Sequence, residues 1–199
     1  FPTVGSMEPL SNLERVSLFR SLIDSLPLSH IRPHAAPYLY TRSIISAIAD
    51  LKREAIDPEK FNRFLKTQSP ASPQDEKYHR RNRELYLVYK SYQQELIKIG
   101  RYDFEDMITL VNTAFKAGPD FLLTHQQRFL YFLADEYQDT NAAQQELLLL
   151  LTSYWKNQAN IFVVGDDDQA IFRFQGASIE NILNFHQIFP AAKLVVLDR

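Results

Sequence analysis

Two clusters of acidic and amide side chains have the residue types and spacing that chemistry on a nucleotide would need. Asp135 and Glu136 directly follow a run of apolar residues, and Asp166 and Gln169 follow a second such run. An aspartate at the end of a buried strand can hold magnesium, and a neighbouring glutamate can orient and deprotonate an attacking water molecule. Magnesium prefers a few carboxylates together with phosphate oxygens, so two acids at one strand end suffice. An ordinary polar turn would also explain either cluster taken alone.

The second cluster adds a candidate sensor and two aromatic side chains. Gly165 permits a tight turn, and Gln169 offers both a donor and an acceptor with which it could detect a terminal phosphate. Phe172 and Phe174 are two residues apart, so in an extended segment they would point the same way and could stack on unpaired bases. The alternative is that both phenylalanines belong to the hydrophobic core.

The elements that must position these residues form an alternating pattern from about residue 101. Three apolar runs of strand length, Phe129–Ala134, Ile161–Val164 and Leu194–Leu197, are separated by helical stretches that contain Gln144–Leu151 and Ile179–Leu183. Strands that alternate with helices indicate a parallel sheet covered by helices on both faces. Ligands bind beyond the carboxyl ends of such strands, which is where the two polar clusters lie.

Residues 1 to about 100 have a purely helical pattern. Ser11 and Glu14 fit a capping box, and apolar residues recur at helical spacing from Leu13 onwards. Asp57-Pro58 has the form of a cap followed by a first-turn proline, and Gly100 ends a long amphipathic helix. The predicted fold is therefore α/β, with an all-helical subdomain over residues 1–100 and a partial parallel sheet over residues 101–199, whose first helix is capped by Asp103.

The composition restricts the class of protein without identifying it. The 199 residues carry a formal net charge of -2, so the chain as a whole is not a basic protein that coats nucleic acid. The absence of cysteine excludes disulfides and Cys-ligated metal sites, and we interpret it as fitting a cytoplasmic location. No apolar run approaches the length of a membrane span, so no membrane partner is expected.

Three segments resemble motifs of the UvrD/Rep/PcrA-type superfamily 1 DNA helicases. The string Asp135-Glu136-Tyr137-Gln138-Asp139-Thr140 resembles motif II, the Walker B site of that family, and the string from Val164 to Phe172 resembles motif III. The string from Tyr102 to Ile108 is similar to the segment where the chain re-enters the motor domain. The three segments occur in the family's order and with family-like spacing.

The resemblance implies a 3′-to-5′ helicase that uses ATP and Mg²⁺ and acts on single-stranded and duplex DNA, as enzymes of DNA repair do. By motif position, Asp135 would bind magnesium, Glu136 would be the catalytic base and Gln169 would sense the γ-phosphate, so that all three contact the nucleotide. Phe174, together with Phe172, would stack on bases. The pathway served and the oligomeric state stay open.

The resemblance also implies how the chain is divided and what it lacks. Residues 101–199 would be part of a RecA-like motor domain, and residues 1–100 its helical insertion, which helps to contact duplex DNA. No G-x-x-x-x-G-K-[ST] phosphate loop occurs, so we expect an internal fragment that is inactive by itself. Gln175 stands where the family usually has arginine, and the effect of that change is open.

Three alternatives remain at this point. The motif III string, with Arg173 before Phe174, also fits a subunit of the RecB/AddA helicase–nuclease type. A metal-dependent nuclease could use the clustered acids, although no lysine follows Asp135 or Asp166 closely. The third alternative is an interaction module without catalysis, in which the acidic turns would be loops only.

Two weaker signals concern cations and histidines. A basic cluster opens the long helix and could contact phosphates, but flanking acids favour an ordinary solvated helix face; its members are Lys77, Arg80, Arg81 and Arg83. The five histidines show no metal-ligand spacing, so we expect them to be structural or surface residues.

Overall fold

The computed structural model describes residues 7–166 and 185–196. The chain divides into two compact units, one that ends at Thr109 and one that begins at Leu110. Among the described residues, no helix combines the length and the apolar character needed to cross a membrane. The described part is mostly helical with two small parallel sheets, which agrees with the predicted α/β class at that coarse level.

The first unit is built from helices whose ends are set by local sequence signals. Its elements are β1 (Glu8–Pro9), α1 (Asn12–Ser25), α2 (Thr41–Arg53), α3 (Pro58–Thr67), α4 (Pro73–Ile99) and β2 (Arg101–Tyr102). Ser11 and Glu14 form the predicted capping box at the start of α1. Asp57 caps α3 through the amide of Lys60, and Gly100 ends α4 in the left-handed region, as the sequence predicts.

The core of the first unit forms around the buried face of α4. Val88, Tyr92 and Leu96 are at most 1% exposed, and the Tyr92 ring lies 4.4 Å from the ring of Phe19 on α1. Leu13, the first apolar residue at helical spacing in α1, is 81% exposed and so lies outside this core. It lies in the first turn of α1, where the helical spacing alone does not tell whether α4 reaches far enough to cover it.

A buried ionic cluster joins α2 to the segment after α4. The Lys52 ammonium contacts Asp103 Oδ2 at 2.5 Å and Asp106 Oδ1 at 2.8 Å, and its side chain is 1% exposed. The Tyr92 hydroxyl donates to Asp103, and the Gln93 amide donates to Asp106. Burial would raise the pKa of Asp103, but the Lys52 ammonium and the hydrogen bonds with Asp106 together outweigh burial and lower it. At Asp106, burial keeps the pKa raised. The cluster fixes the chain between β2 and the next helix.

The second unit contains a parallel strand pair with helices before, between and after the strands. The elements are α5 (Asp106–Ala117), inside which the division between the units falls, α6 (Pro119–Arg128), β3 (Phe132–Ala134), α7 (Ala142–Thr152), β4 (Ile161–Val163) and α8 (Phe185–Ile188). Asp103 accepts a hydrogen bond from the Asp106 amide, as predicted for the cap of α5. Strands β3 and β4 pair in parallel, with Leu133 opposite Phe162.

The sheet of the second unit differs from the sequence prediction in extent and in burial. The strand predicted over Phe129–Ala134 is formed only from Phe132, because Asn160 supplies the first backbone partner there. Residues 194–196 of the predicted third strand are exposed and are not in a strand. Leu133 is 81% exposed and Phe162 59% exposed, so in the described residues this face of the strand pair is not covered by a helix.

Candidate functional site

The carboxyl ends of β3 and β4 bring the two acidic segments to the same edge of the sheet. Backbone pairing continues beyond the strands, because the Val164 amide donates to Ala134 at 2.9 Å and the Tyr137 amide donates to Val164 at 2.8 Å. Asp135 and Glu136 therefore lie beside the segment that runs into Asp166. This is the edge at which parallel sheets place their ligands.

The chain turns sharply at Glu136. Its backbone is left-handed, with φ 49° and ψ 43°, a conformation that residues other than glycine rarely adopt. A short 3₁₀ helix, Tyr137–Asp139, follows, and the Asp139 amide donates to the Glu136 carbonyl at 2.8 Å. The Glu136 amide donates to Asp135 Oδ1 at 2.9 Å. Both carboxylate side chains remain exposed at the strand end.

The turn is held by buried side chains on its inner face. Tyr137 is 1% exposed, and its ring packs edge-on against Phe185 at 5.6 Å between centroids. Burial raises the pKa of the Tyr137 hydroxyl. Asn141 and Gln144 form a second capping box that starts α7 directly after the turn. Buried side chains therefore hold in place the turn that carries the exposed acids.

Gln138 links the two strand ends through its side chain. The residue is 2% exposed; its Nε2 donates to Glu136 Oε2 at 2.7 Å, and its Oε1 accepts from the Asp166 amide at 3.1 Å. We assigned Gln138 no role from the sequence, although it lies within the motif II string. No hydrophobic period could reveal it, because a single 3₁₀ turn brings this polar side chain inward.

The donor set suits a hard cation together with a phosphate. Asp135 and Glu136 offer carboxylate oxygens at an exposed strand end, which are the ligand atoms that Mg²⁺ prefers. Over residues 7–166 and 185–196, no group of three or more His, Asp or Glu side chains could hold a metal by itself. Any magnesium held here would take its remaining ligands from phosphate oxygens and water.

The other predicted site residues fall on segments that the structure does not describe. Gln169, Phe172 and Phe174 lie outside the described residues, as do Gln175 and Arg173. Their roles therefore stay predictions. The structure brings together Asp135, Glu136 and the segment from Val164 to Asp166.

The basic cluster and several histidines have local partners. Arg80 pairs with Glu76 at 2.8 Å, and the Arg81 guanidinium lies over the ring of Tyr40. Lys77 and Arg83 are exposed. The contacts of Arg80 and Arg81 fit the solvated helix face that the flanking acids indicate. Three histidines bond to neighbours within their own unit: His30 to Glu84, His79 to the Leu65 carbonyl and His125 to the Phe121 carbonyl.

Comparisons with known proteins point to one family. Residues 7–190 match the family described as the UvrD/REP helicase N-terminal domain. The chain is 38% identical over 158 residues to the ATP-dependent DNA helicase PcrA of Staphylococcus epidermidis, and the match covers 79% of this chain and 20% of that protein. The PcrA helicase of Staphylococcus aureus matches with the same identity and coverage. The chain therefore spans about a fifth of the length of the curated relatives it matches.

Proposed function

This chain belongs to the UvrD/REP helicase N-terminal domain family, and on that premise we propose that it is part of an ATP-dependent 3′-to-5′ DNA helicase. The observation that carries the proposal is the pair Asp135 and Glu136 at the carboxyl end of β3, tied by hydrogen bonds to the end of β4. Residues 101–199 would be part of a RecA-like motor domain, and residues 1–100 its helical insertion.

Each acid has a distinct role in this proposal. Asp135 holds Mg²⁺, and Glu136 accepts a proton from the water that attacks the γ-phosphate. When bound, the metal neutralises charge that develops on the phosphate oxygens. The backbone of Glu136 is left-handed, and the Gln138 amide donates to one of its carboxylate oxygens. The other oxygen of Glu136 is then available to orient the water.

The DNA-coupled part of the proposal rests on motif III. Gln169 would contact the γ-phosphate, and Phe174 with Phe172 would stack on bases of single-stranded DNA. Because Gln169 and Phe172 lie within seven residues of Gly165 in the sequence, a change at the phosphate would reach the bases through a short stretch of chain. ATP, Mg²⁺, and single-stranded and duplex DNA are therefore the proposed cofactors and partners.

The test uses the complete product of the reading frame that contains this sequence. We expect DNA-stimulated ATP hydrolysis and unwinding of a duplex that carries a 3′ single-stranded tail, but not of one with only a 5′ tail. Glu136→Gln should lower kcat for ATP by about 10²–10⁴-fold, since a positioned general base contributes about that much. The matched control is Glu59→Gln, which changes an exposed carboxylate on α3 and should leave kcat unchanged.

Three further results would each decide against one part of the proposal. The 199-residue chain alone should show no ATP hydrolysis, because it contains no phosphate loop; robust turnover by it would refute the inactive-fragment reading. Magnesium-dependent cleavage of DNA at Asp135 and Glu136 would favour the nuclease alternative instead. Unwinding from 5′ tails would refute the direction of translocation.

A further inference from the structure

The side-chain amide of Gln138 forms two hydrogen bonds at the candidate site, one through its nitrogen and one through its oxygen. The Nε2 donates to the Glu136 carboxylate, and the Oε1 accepts from the backbone amide of Asp166. A carboxylate can only accept and a backbone N–H can only donate, so the bridging side chain must present a donor at one end and an acceptor at the other. Within reach of both partners, an amide meets that requirement and a carboxylate or an alkyl chain does not.

The Gln138 side chain is buried, and hydrogen bonds hold the backbone on both sides of it. Gln138 is 2% exposed. On either side of it, the Tyr137 amide donates a hydrogen bond to the Val164 carbonyl, and the Asp139 amide donates one to the Glu136 carbonyl. Hydrogen bonds to a charged acceptor are stronger than neutral ones, and shielding from water strengthens them further. A shift of the turn at Asp166 would therefore move the Gln138 amide, and with it one oxygen of Glu136.

We propose that Gln138 is a positioning residue that couples the Glu136 carboxylate to the turn after β4. The proposal rests on the proposed function for its catalytic meaning, because Glu136 is the base there. It extends that function by giving the path between the two motifs: motif III acts on the catalytic base through the side chain of a motif II residue. In this proposal Gln138 acts through Glu136 and needs no contact of its own with nucleotide or DNA.

The first experiment measures the bridge in this chain without any nucleotide. Hydrogen exchange of the Asp166 amide is followed by NMR, with the Val164 amide as an internal reference because its bond to Ala134 does not involve Gln138. Gln138→Leu removes both bonds, and the Asp166 amide should exchange about tenfold faster relative to Val164. Gln138→Glu keeps the acceptor for the Asp166 amide but loses the bond to Glu136, so exchange should rise about threefold, less than in Gln138→Leu. The control Gln126→Leu removes another buried side-chain amide of the same unit and should not change the ratio of the Asp166 exchange rate to the Val164 exchange rate.

The second comparison separates coupling from a merely structural role. In the described residues Gln138 is the side chain that bonds both to the Glu136 carboxylate and to the Asp166 amide, so we expect a change at that carboxylate to reach the amide through Gln138. Glu136→Ala removes the acceptor and should speed exchange at Asp166 about threefold or more, while Glu136→Gln keeps an acceptor oxygen and should not. Unchanged exchange at Asp166 in Glu136→Ala would overturn the proposal.

The catalytic consequence is measured in the complete reading-frame product. Gln138→Glu should lower kcat of DNA-stimulated ATP hydrolysis about tenfold and leave KM for ATP within about twofold, because the base is displaced while nucleotide contacts remain. A protein whose kcat is unchanged by Gln138→Glu would overturn the positioning role. If the unmodified protein hydrolyses no ATP, the proposed function fails, but the exchange experiments still decide whether the bridge couples the two turns.

Discussion

Among single residues, Glu136 combines strain with candidate chemistry. Three described residues other than glycine have positive φ; of the other two, Ala55 lies in the turn after α2, and Lys156 begins a short 3₁₀ helix that follows α7. Glu136 instead follows a strand and carries an exposed carboxylate. A left-handed L-residue costs roughly 1–2 kcal/mol, and such residues persist where surrounding contacts impose them. Here the bonds from Gln138 and Asp139 provide those contacts, which supports a functional reason for the conformation.

In the first unit, the buried carboxylate of Glu84 accepts several hydrogen bonds from one loop. Its carboxylate accepts from the backbone amides of Ser29, His30 and Ile31 and lies 2.9 Å from His30 Nδ1. Burial alone would raise the pKa of Glu84, but these hydrogen bonds outweigh burial and lower it to about 2. The loop before Ile31 is therefore organised by one carboxylate on α4.

We expect Glu84→Gln to lower the free energy of unfolding by about 2–3 kcal/mol at neutral pH. The folded-state pKa lies below the ordinary 4.5, so the contribution is complete above pH 4.5 and is lost as the pH falls towards 2. Urea unfolding followed by circular dichroism should show the difference between the two proteins shrinking over that range. Glu95→Gln, at a less buried position on the same helix, is the control and should change the free energy by less than about 0.5 kcal/mol. A difference independent of pH would refute this explanation.

At the scale of elements, the segment that enters α5 is fixed to the helical unit by ionic contacts. Strand β2 pairs with β1; Asp103, directly after β2, and Asp106, at the start of α5, share the Lys52 ammonium. The cluster satisfies its buried groups, since Asp103 and Asp106 also bond to each other's backbone amides. Removing the single cation would leave two buried carboxylates without compensation.

We expect Lys52→Met to destabilise the first unit by about 3–5 kcal/mol, as measured by denaturant unfolding. Lys98→Met, which removes an exposed lysine from α4, should cost less than about 1 kcal/mol. The triple variant Lys52→Met, Asp103→Asn, Asp106→Asn should recover part of the lost stability, because it removes the two carboxylate charges that the single variant leaves without a cation. If Lys52→Met costs no more than Lys98→Met, the buried cluster does not hold this element.

Local signals predicted the helix ends well, while long-range partners escaped prediction. Ser11, Asp57 and Gly100 could be assigned because their partners lie within a few residues. Lys52 resembled any other lysine near a helix end, because its partners are about fifty residues away. The apolar run at 194–196 had strand composition, but whether such a run becomes a strand depends on a neighbouring strand that the pattern cannot identify.

The candidate site shows the same division between local and non-local information. Asp135 and Glu136 could be placed at a strand end because the apolar run before them is local. Their approach to the segment at Asp166 followed from the rule for parallel strands. The Gln138 bridge could not be predicted, because it depends on the left-handed turn at Glu136, and nothing in the identity of a glutamate indicates that turn.

Across the whole molecule, each unit has its own distribution of buried apolar contacts. The first unit has a cluster that includes Phe19, Ile23, Val88 and Tyr92, each at most 1% exposed. In the second unit, the described strand pair is three residues long and carries the exposed Leu133. Local opening free energy follows buried contact and shielded hydrogen bonding, so the two parts should differ in protection.

We therefore expect native-state hydrogen exchange to be slowest in α4 and α1 and faster in β3 and β4, as measured by mass spectrometry of peptides from each element. Ile23→Val, which removes a buried methylene from the cluster, should speed the slowest exchange in α1 about fivefold, corresponding to about 1 kcal/mol. Ile97→Val makes the same chemical change at a position that is 70% exposed and should leave that exchange unchanged. Amides of β3 that are protected as strongly as those of α4 would contradict the expectation, because such protection could not come from a three-residue pair with an exposed face.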